Sequence, residues 1–223
     1  MSALKHFSTG LKTLLFCLAL LIGASIFVKS LDYYRPDFNN GYLSDKRAVF
    51  NGIFAVALYA HIIIAPVALL IATVQSVFPY WKAKPIVHRW LGTAYVLLVI
   101  TLGAPSGFVM AFYSLGGWMG HLGFLLLSLL WVGFTLRGWQ QARKGEYTQH
   151  RKYMLRSYVL VLSAVSLRLL LFISNHYFNW AGDDSYAIIA WLSWLPQLFL
   201  LEIWLKVRGN VLYSYPNNQR AAK

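Results

Sequence analysis

The chain has 223 residues, of which 58% are hydrophobic and only 12% charged, with a mean hydropathy of +0.53. A soluble domain carries about a quarter charged residues, so a water-soluble globular protein is excluded and an integral membrane protein is expected. The formal charge of +13 does not point to nucleic acid, because the basic residues gather in the loops of one side, and the lone Cys17 excludes a disulfide, a thiolate metal cluster and covalent haem attachment through CxxCH.

In chain order, Lys5 and Lys12 precede a first apolar run at 13–31. No small-residue cleavage site follows before Lys29, so the run reads as a helix and not as a signal peptide. A polar connection, "DYYRPDFNNGYLSDKR", leads to a second run at 49–78. Further runs follow at 90–113, 118–139, 153–175 and 187–207, and each approaches or exceeds the roughly 20 residues a helix needs to cross a bilayer. The breaks carry turn signals: two prolines in "PYWKAKP", the Gly pair of "SLGGW", the basic "RGWQQARKGEYTQHRK" and the polar "NHYFNWAGDDSY". No internal repeat and no low-complexity segment interrupts them.

The expectation is an all-α protein of six transmembrane helices occupying 13–207, with short segments at 1–12 and 208–223. Of the 20 Lys and Arg residues, 15 fall at the termini and in the 79–89 and 137–156 loops, and four (Lys29, Arg35, Lys46 and Arg47) on the opposite side. The positive-inside rule then places both termini in the cytoplasm, and membrane lipid is the surrounding partner.

Six histidines are present, and four of them go one with each of the second to fifth runs, His61 and His121 within theirs and His88 and His150 at the starts of theirs. By depth they form two pairs, His61 with His121 in the outer layer and His88 with His150 in the inner layer. Two imidazoles facing across a helix bundle are what a six-coordinate b-type haem requires, since neutral imidazole is a strong iron ligand and the porphyrin needs no covalent link. Small residues flank these histidines: Ala57, Ala65, Ala68 and Ala72 near the face of His61, Gly117 near His121 and Gly92 near His88. They leave room for a flat macrocycle, or else allow close helix packing. If the second run starts at Val49, His61 lies roughly 18 Å deep and His121 only roughly 5 Å. The outer pair therefore requires a later helix start, near Phe54, or a tilt.

Arg168 is the one basic residue deep within an apolar run. A lone arginine there costs at least about 2.5–3.5 kcal/mol, so it needs a partner. It lies 18 residues, five helical turns, beyond His150, which puts an outer-haem propionate or another anion in reach of the same helix face. Arg89 and Arg156, close to the inner histidines, are candidates for the inner propionates, and Trp90 could stack on a ligand. Glu202 is expected to pair with Lys206 one turn on.

Two resemblances appear at these residues. "HRWLG" at 88–92, "PSG" at 105–107 and "QHRKYMLRSYVLVLSAVSLRLLL" at 149–171 resemble the bacterial membrane-protein family called domain of unknown function 2306, over about His61 to Glu202. That family implies no particular activity. In architecture the chain is similar to the transmembrane cytochrome b561 family, in which histidines of helices two and four hold one haem and those of helices three and five the other. The resemblance implies the same pairs, His61 with His121 and His88 with His150, two non-covalent haem b groups, and electron transfer within or across the membrane. A quinol is the expected donor in a bacterial inner membrane. Two other readings compete: a transporter or accessory subunit with a polar path lined by His61 and Arg168, and a copper or zinc site at His61 and His121, which lacks a carboxylate or thiolate to complete it.

Overall fold

The computed structural model describes residues 17, 20–39, 41–44, 46–50, 52–77, 84–180 and 182–212, and among them it contains helices and turns but no strand. The first described helix, α1, covers 20–30. The rest of the expected 13–31 span lies largely outside the described residues. A Cβ on Gly23 would sit 3.3 Å from the side chain of Leu70, so α1 lies close against the next helix, and Ile26 is buried in the main core.

Residues 31–50 are more than a polar connection. Two short 3-10 turns, Leu31–Tyr34 and Gly41–Leu43, fold back over the bundle. Leu43, Phe54, Leu58 and Ile62 are buried there beneath Tyr33, Phe38, Tyr42, Phe50 and Tyr59. Aromatic side chains scattered through a polar stretch thus converge into a cap, held further by Tyr59 donating to the Tyr33 carbonyl at 3.2 Å.

Beyond Gly52, whose φ is +73°, α2 runs Ile53–Val77. It starts four residues later than the apolar run, near Phe54. The next span begins earlier than expected, because Pro85 sits in the first helical turn, where its missing N–H costs nothing and its fixed φ suits the helix. It is made of α3 (Pro85–Leu98), a π-helical turn (Val99–Gly103) and α4 (Ala104–Ala111). In that turn the Ala104 N–H reaches back five residues to the Val99 carbonyl. Pro105, which has no N–H to offer its own preceding turn, follows immediately.

Helix α5 (Gly117–Arg143) starts after Gly116, whose φ is +86° and whose Cβ would lie 2.7 Å from the Ala187 nitrogen, so a side chain is excluded twice over. Helix α6 (Tyr147–Tyr177) has 31 residues and is therefore about 46 Å long, against a hydrocarbon core of about 30 Å. The last span divides into α7 (Asp183–Leu192) and α8 (Leu195–Leu212), with Pro196 just after the break. Among the described residues five stretches are long and apolar enough to cross a membrane: Ile53–Ser76, Pro85–Ala111, Gly117–Arg143, Tyr147–Tyr177 and Asp183–Val207.

The core lies where α2, the α3–α4 span, α5 and α6 meet, around Leu69, Tyr95, Val99, Trp131 and Leu160. Ala68 and Ala72 are buried in this core. A polar node is embedded in this core. The Tyr95 hydroxyl lies 2.6 Å from Ser157 Oγ and accepts from Trp131 Nε1 at 3.0 Å, while Thr135 Oγ1 lies 2.7 Å from Ser157 Oγ. In a medium without water such groups must satisfy one another.

Candidate functional site

The four histidines divide between a basic end of the bundle and a cap end. At the basic end, His88 is the fourth residue of α3 and His150 the fourth of α6. Their rings meet edge to face, with centroids 6.5 Å apart and planes at 84°. His150 Nδ1 lies 2.8 Å from the Gly138 carbonyl of α5. A carbonyl only accepts, so Nδ1 carries a proton, and Nε2 is the nitrogen left free of this bond. Gly138 can approach because it has no side chain: a Cβ there would lie 2.6 Å from Met154 Sδ.

At the cap end, His61 repeats the arrangement. Its Nδ1 is 3.1 Å from the Gly103 carbonyl and 3.2 Å from Ser106 Oγ, and Ser106 Oγ itself donates to Gly103 at 3.0 Å. The ring lies close against Gly107, where a Cβ would come within 3.0 Å of His61 Cε1. His121 differs, because its Nε2 donates to the Ser114 carbonyl at 3.0 Å, in the turn before its own helix. Among the described residues no ring contact joins His61 and His121, so the structure brings together His88 and His150 and leaves the other two apart.

The cationic candidates are equally distinct. Arg156 forms a bidentate pair with Glu202, Nε to Oε1 at 2.5 Å and Nη2 to Oε2 at 2.8 Å, with its guanidinium over the rings of Phe134 and Tyr153. Glu202 is therefore bound across helices to Arg156, where the sequence had suggested Lys206. Arg89 and Trp90 are exposed at the basic end. Arg168 is exposed within α6, with one hydrogen bond, to the Ala164 carbonyl of its own helix at 2.8 Å. Its charge acts on Tyr33, Tyr186 and His61. Burial raises the Tyr33 phenol above the usual tyrosine range, with Arg168 acting in the opposite direction and Asp32 adding to the rise. Tyr42 is raised as well, by burial first and then by Tyr186 and Tyr33.

Sequence reasoning did not find the Gly103 and Gly138 carbonyls, Ser106, or the cap tyrosines. Backbone acceptors leave no residue-type signal. The π-helical turn that presents Gly103 is visible only as Pro105 inside an apolar run. Among the described residues no cluster of three or more His, Cys, Asp or Glu side chains could hold a bare metal ion. A bis-imidazole haem asks for two.

These features define an α-helical membrane protein with several spans and a convergent histidine pair at one end of its core. The chain belongs to the family described as predicted membrane protein, domain of unknown function 2306, whose model matches residues 58–205. No curated protein and no solved structure matches it.

Proposed function

We propose that this protein is a transmembrane b-type cytochrome, similar to cytochrome b561, which holds a non-covalent haem between His88 and His150 and moves electrons in the membrane. The observation that carries this reading is the 6.5 Å between the two ring centres. Two metal–nitrogen bonds of about 2 Å each, plus the half-widths of two five-membered rings, require roughly 6 Å; from the edge-to-face arrangement one ring would have to turn a nitrogen toward the shared iron. Haem iron would supply the one-electron chemistry. The chain's own residues hold the ligands: Gly138 fixes the His150 tautomer and orientation, the kind of outer contact that sets ligand basicity. Tyr95 and Ser157 lie seven residues deeper than His88 and His150 on the same helices, and form a polar floor in an otherwise apolar core. Arg89, exposed beside His88, is the guanidinium placed to meet a propionate. Arg156 is paired with Glu202.

A second haem, between His61 and His121, would require the His121 ring, whose Nε2 donates to the Ser114 carbonyl, to turn. Six spans, with both termini cytoplasmic in a bacterial inner membrane and a quinol as donor, complete the proposal. The distribution of 15 basic residues against four supports that orientation. A non-redox reading, a polar path through the cap end lined by His61 and Arg168, is favoured by the exposure of an arginine inside a membrane helix.

Absorption spectra of the detergent-purified protein before and after dithionite, with haem counted per chain, test the proposal. A Soret band with sharp reduced α and β bands is expected. Protein that stays colourless when expressed with ample haem would retire the cytochrome.

A further inference from the structure

The basic end of the bundle holds a buried acceptor that no donor meets. Gln75 lies two residues before the end of α2, at the same end as His88 on α3. Its Oε1 is buried, and among the described residues it accepts no hydrogen bond. An amide oxygen shut away from water in a membrane helix is unfavourable without a donor. The carboxamide rests on the face of α3 that carries His88. Gly92 is four residues beyond His88, and a Cβ there would lie 3.4 Å from Gln75 Nε2, with no other side chain so near among the described residues. Helical side chains lean toward the N-terminus, so the space that a side chain at position 92 would fill lies over the turn beginning at His88. Residues four apart on a helix have Cβ atoms only about 5–6 Å apart. The Gln75 carboxamide takes that space, within a side chain's length of the His88 ring, whose Nδ1 is buried too. The last torsion of a glutamine is broad and two-fold, so the amide can turn Oε1 toward the ring while α2 and α3 stay in place.

The two histidines then receive matching support from opposite neighbours. His150 gives its Nδ1 proton to the Gly138 carbonyl of α5. The 84° between the rings requires one of them to turn before both can point a nitrogen at one iron. His150 is held, so the turn falls to His88. A ring that presents Nε2 to a metal needs an acceptor behind its Nδ1, and Gln75 carries one.

We infer that Gln75 is a positioning residue for His88: its Oε1 accepts the hydrogen bond of Nδ1, so that Nε2 faces His150. The consequence for iron ligation rests on the cytochrome reading; the hydrogen bond itself does not.

The test uses the full-length protein in nanodiscs, produced with isotope-labelled histidine while haem synthesis is suppressed, and then titrated with haem. Nitrogen NMR of the haem-free sample reads the tautomer of His88, whose signal is identified by its loss in H88Q. The Nδ1-protonated form is expected to dominate in the parent. In Q75M, which keeps the length of the side chain and loses the acceptor, the other tautomer appears. Q75E restores the first, since a carboxylate accepts as well. On titration Q75M binds haem about 10- to 100-fold more weakly, the range for losing an outer contact of a ligating histidine. Q75E keeps its haem and lowers the midpoint potential, because a carboxylate raises the basicity of the ligand, and so it decides the question if Q75M fails to fold. An unchanged His88 tautomer in Q75M, or an unchanged midpoint potential in Q75E, overturns the inference. So does weaker haem binding in Q75M with the tautomer unmoved, which would make Gln75 a packing residue only. If the parent takes up no haem, the cytochrome reading falls, and the tautomer in Q75M alone upholds or overturns the hydrogen bond.

Discussion

The imidazoles of His88 and His150 stand edge to face with centres 6.5 Å apart, each on the first turns of its helix. If they share one iron, either substitution, H88A or H150A, removes the low-spin haem bound there, because one imidazole cannot supply two axial ligands. H61A and H121A leave that haem in place. Haem per chain, by pyridine haemochrome assay, distinguishes these outcomes. Full haem content in both H88A and H150A would sink the assignment.

The Gly138 carbonyl that fixes His150 is in place only because α5 and α6 approach closely, with a Cβ at Gly138 destined to lie 2.6 Å from Met154 Sδ. G138A should therefore lower the midpoint of thermal unfolding in detergent, by the equivalent of about 1–3 kcal/mol for overpacking. M154A, combined with it, should recover much of the loss, because the clash is with a flexible thioether. If the two changes are simply additive, the close approach is not what constrains position 138.

How far the site was legible in the sequence depends on the kind of signal each part leaves. The five spans after the first were readable from hydropathy, and the histidines from their recurrence on successive spans. Helix boundaries were displaced where local chemistry overrode hydropathy: Pro85 starts a helix five residues before the expected one, and Gly52 delays α2 to Ile53. Arg156 looked like one more basic residue of a positive-inside loop, because its partner Glu202 is 46 residues away on α8. The cap was read as a polar loop since its aromatic residues are not periodic, and only tertiary folding gathers Tyr33, Phe38, Tyr42 and Phe50 over Phe54.

The Tyr95 hydroxyl is the acceptor for Trp131 Nε1 and the partner of Ser157. Y95F leaves a buried indole N–H with no acceptor, whereas Ser157 keeps Thr135. A hydrogen bond between membrane helices averages about 0.6 kcal/mol, but an orphaned buried donor costs about 1–3. The second effect should dominate, and Y95F should be less stable than a Y95F/W131F double variant. Denaturation in mixed micelles measures both. The opposite order would show that bulk, and not the hydrogen bond, matters at Trp131.

Arg156 and Glu202 join α6 to α8 through two hydrogen bonds. Removing one partner strands the other charge in a membrane helix, while removing both need not. E202Q and R156M singly should each destabilise more than the double R156M/E202L, which can be near neutral. A double-mutant cycle in the same micelles provides the check. A loss in the double variant equal to the sum of the two single losses would mean that the pair is not coupled and each side chain contributes only its own packing.

The cap tyrosines give the protein an alkaline limit. Tyr33 and Tyr42 are raised above the ordinary tyrosine value of about 10, chiefly by burial. Above that pH the unfolded chain has lost phenolic protons that the folded chain still binds. Stability therefore falls as pH rises; the contribution is complete below about pH 10 and disappears as the pH passes the folded values. Unfolding midpoints should drop between about pH 9.5 and 11, and less steeply in Y42F, which has no phenolic proton to lose. The side chain of Tyr42 also supports Lys46 and the buried Leu43–Phe54 cluster, so Y42F retains the ring while removing only the titrating group. Identical pH slopes for the parent and Y42F would place the alkaline transition elsewhere in the molecule.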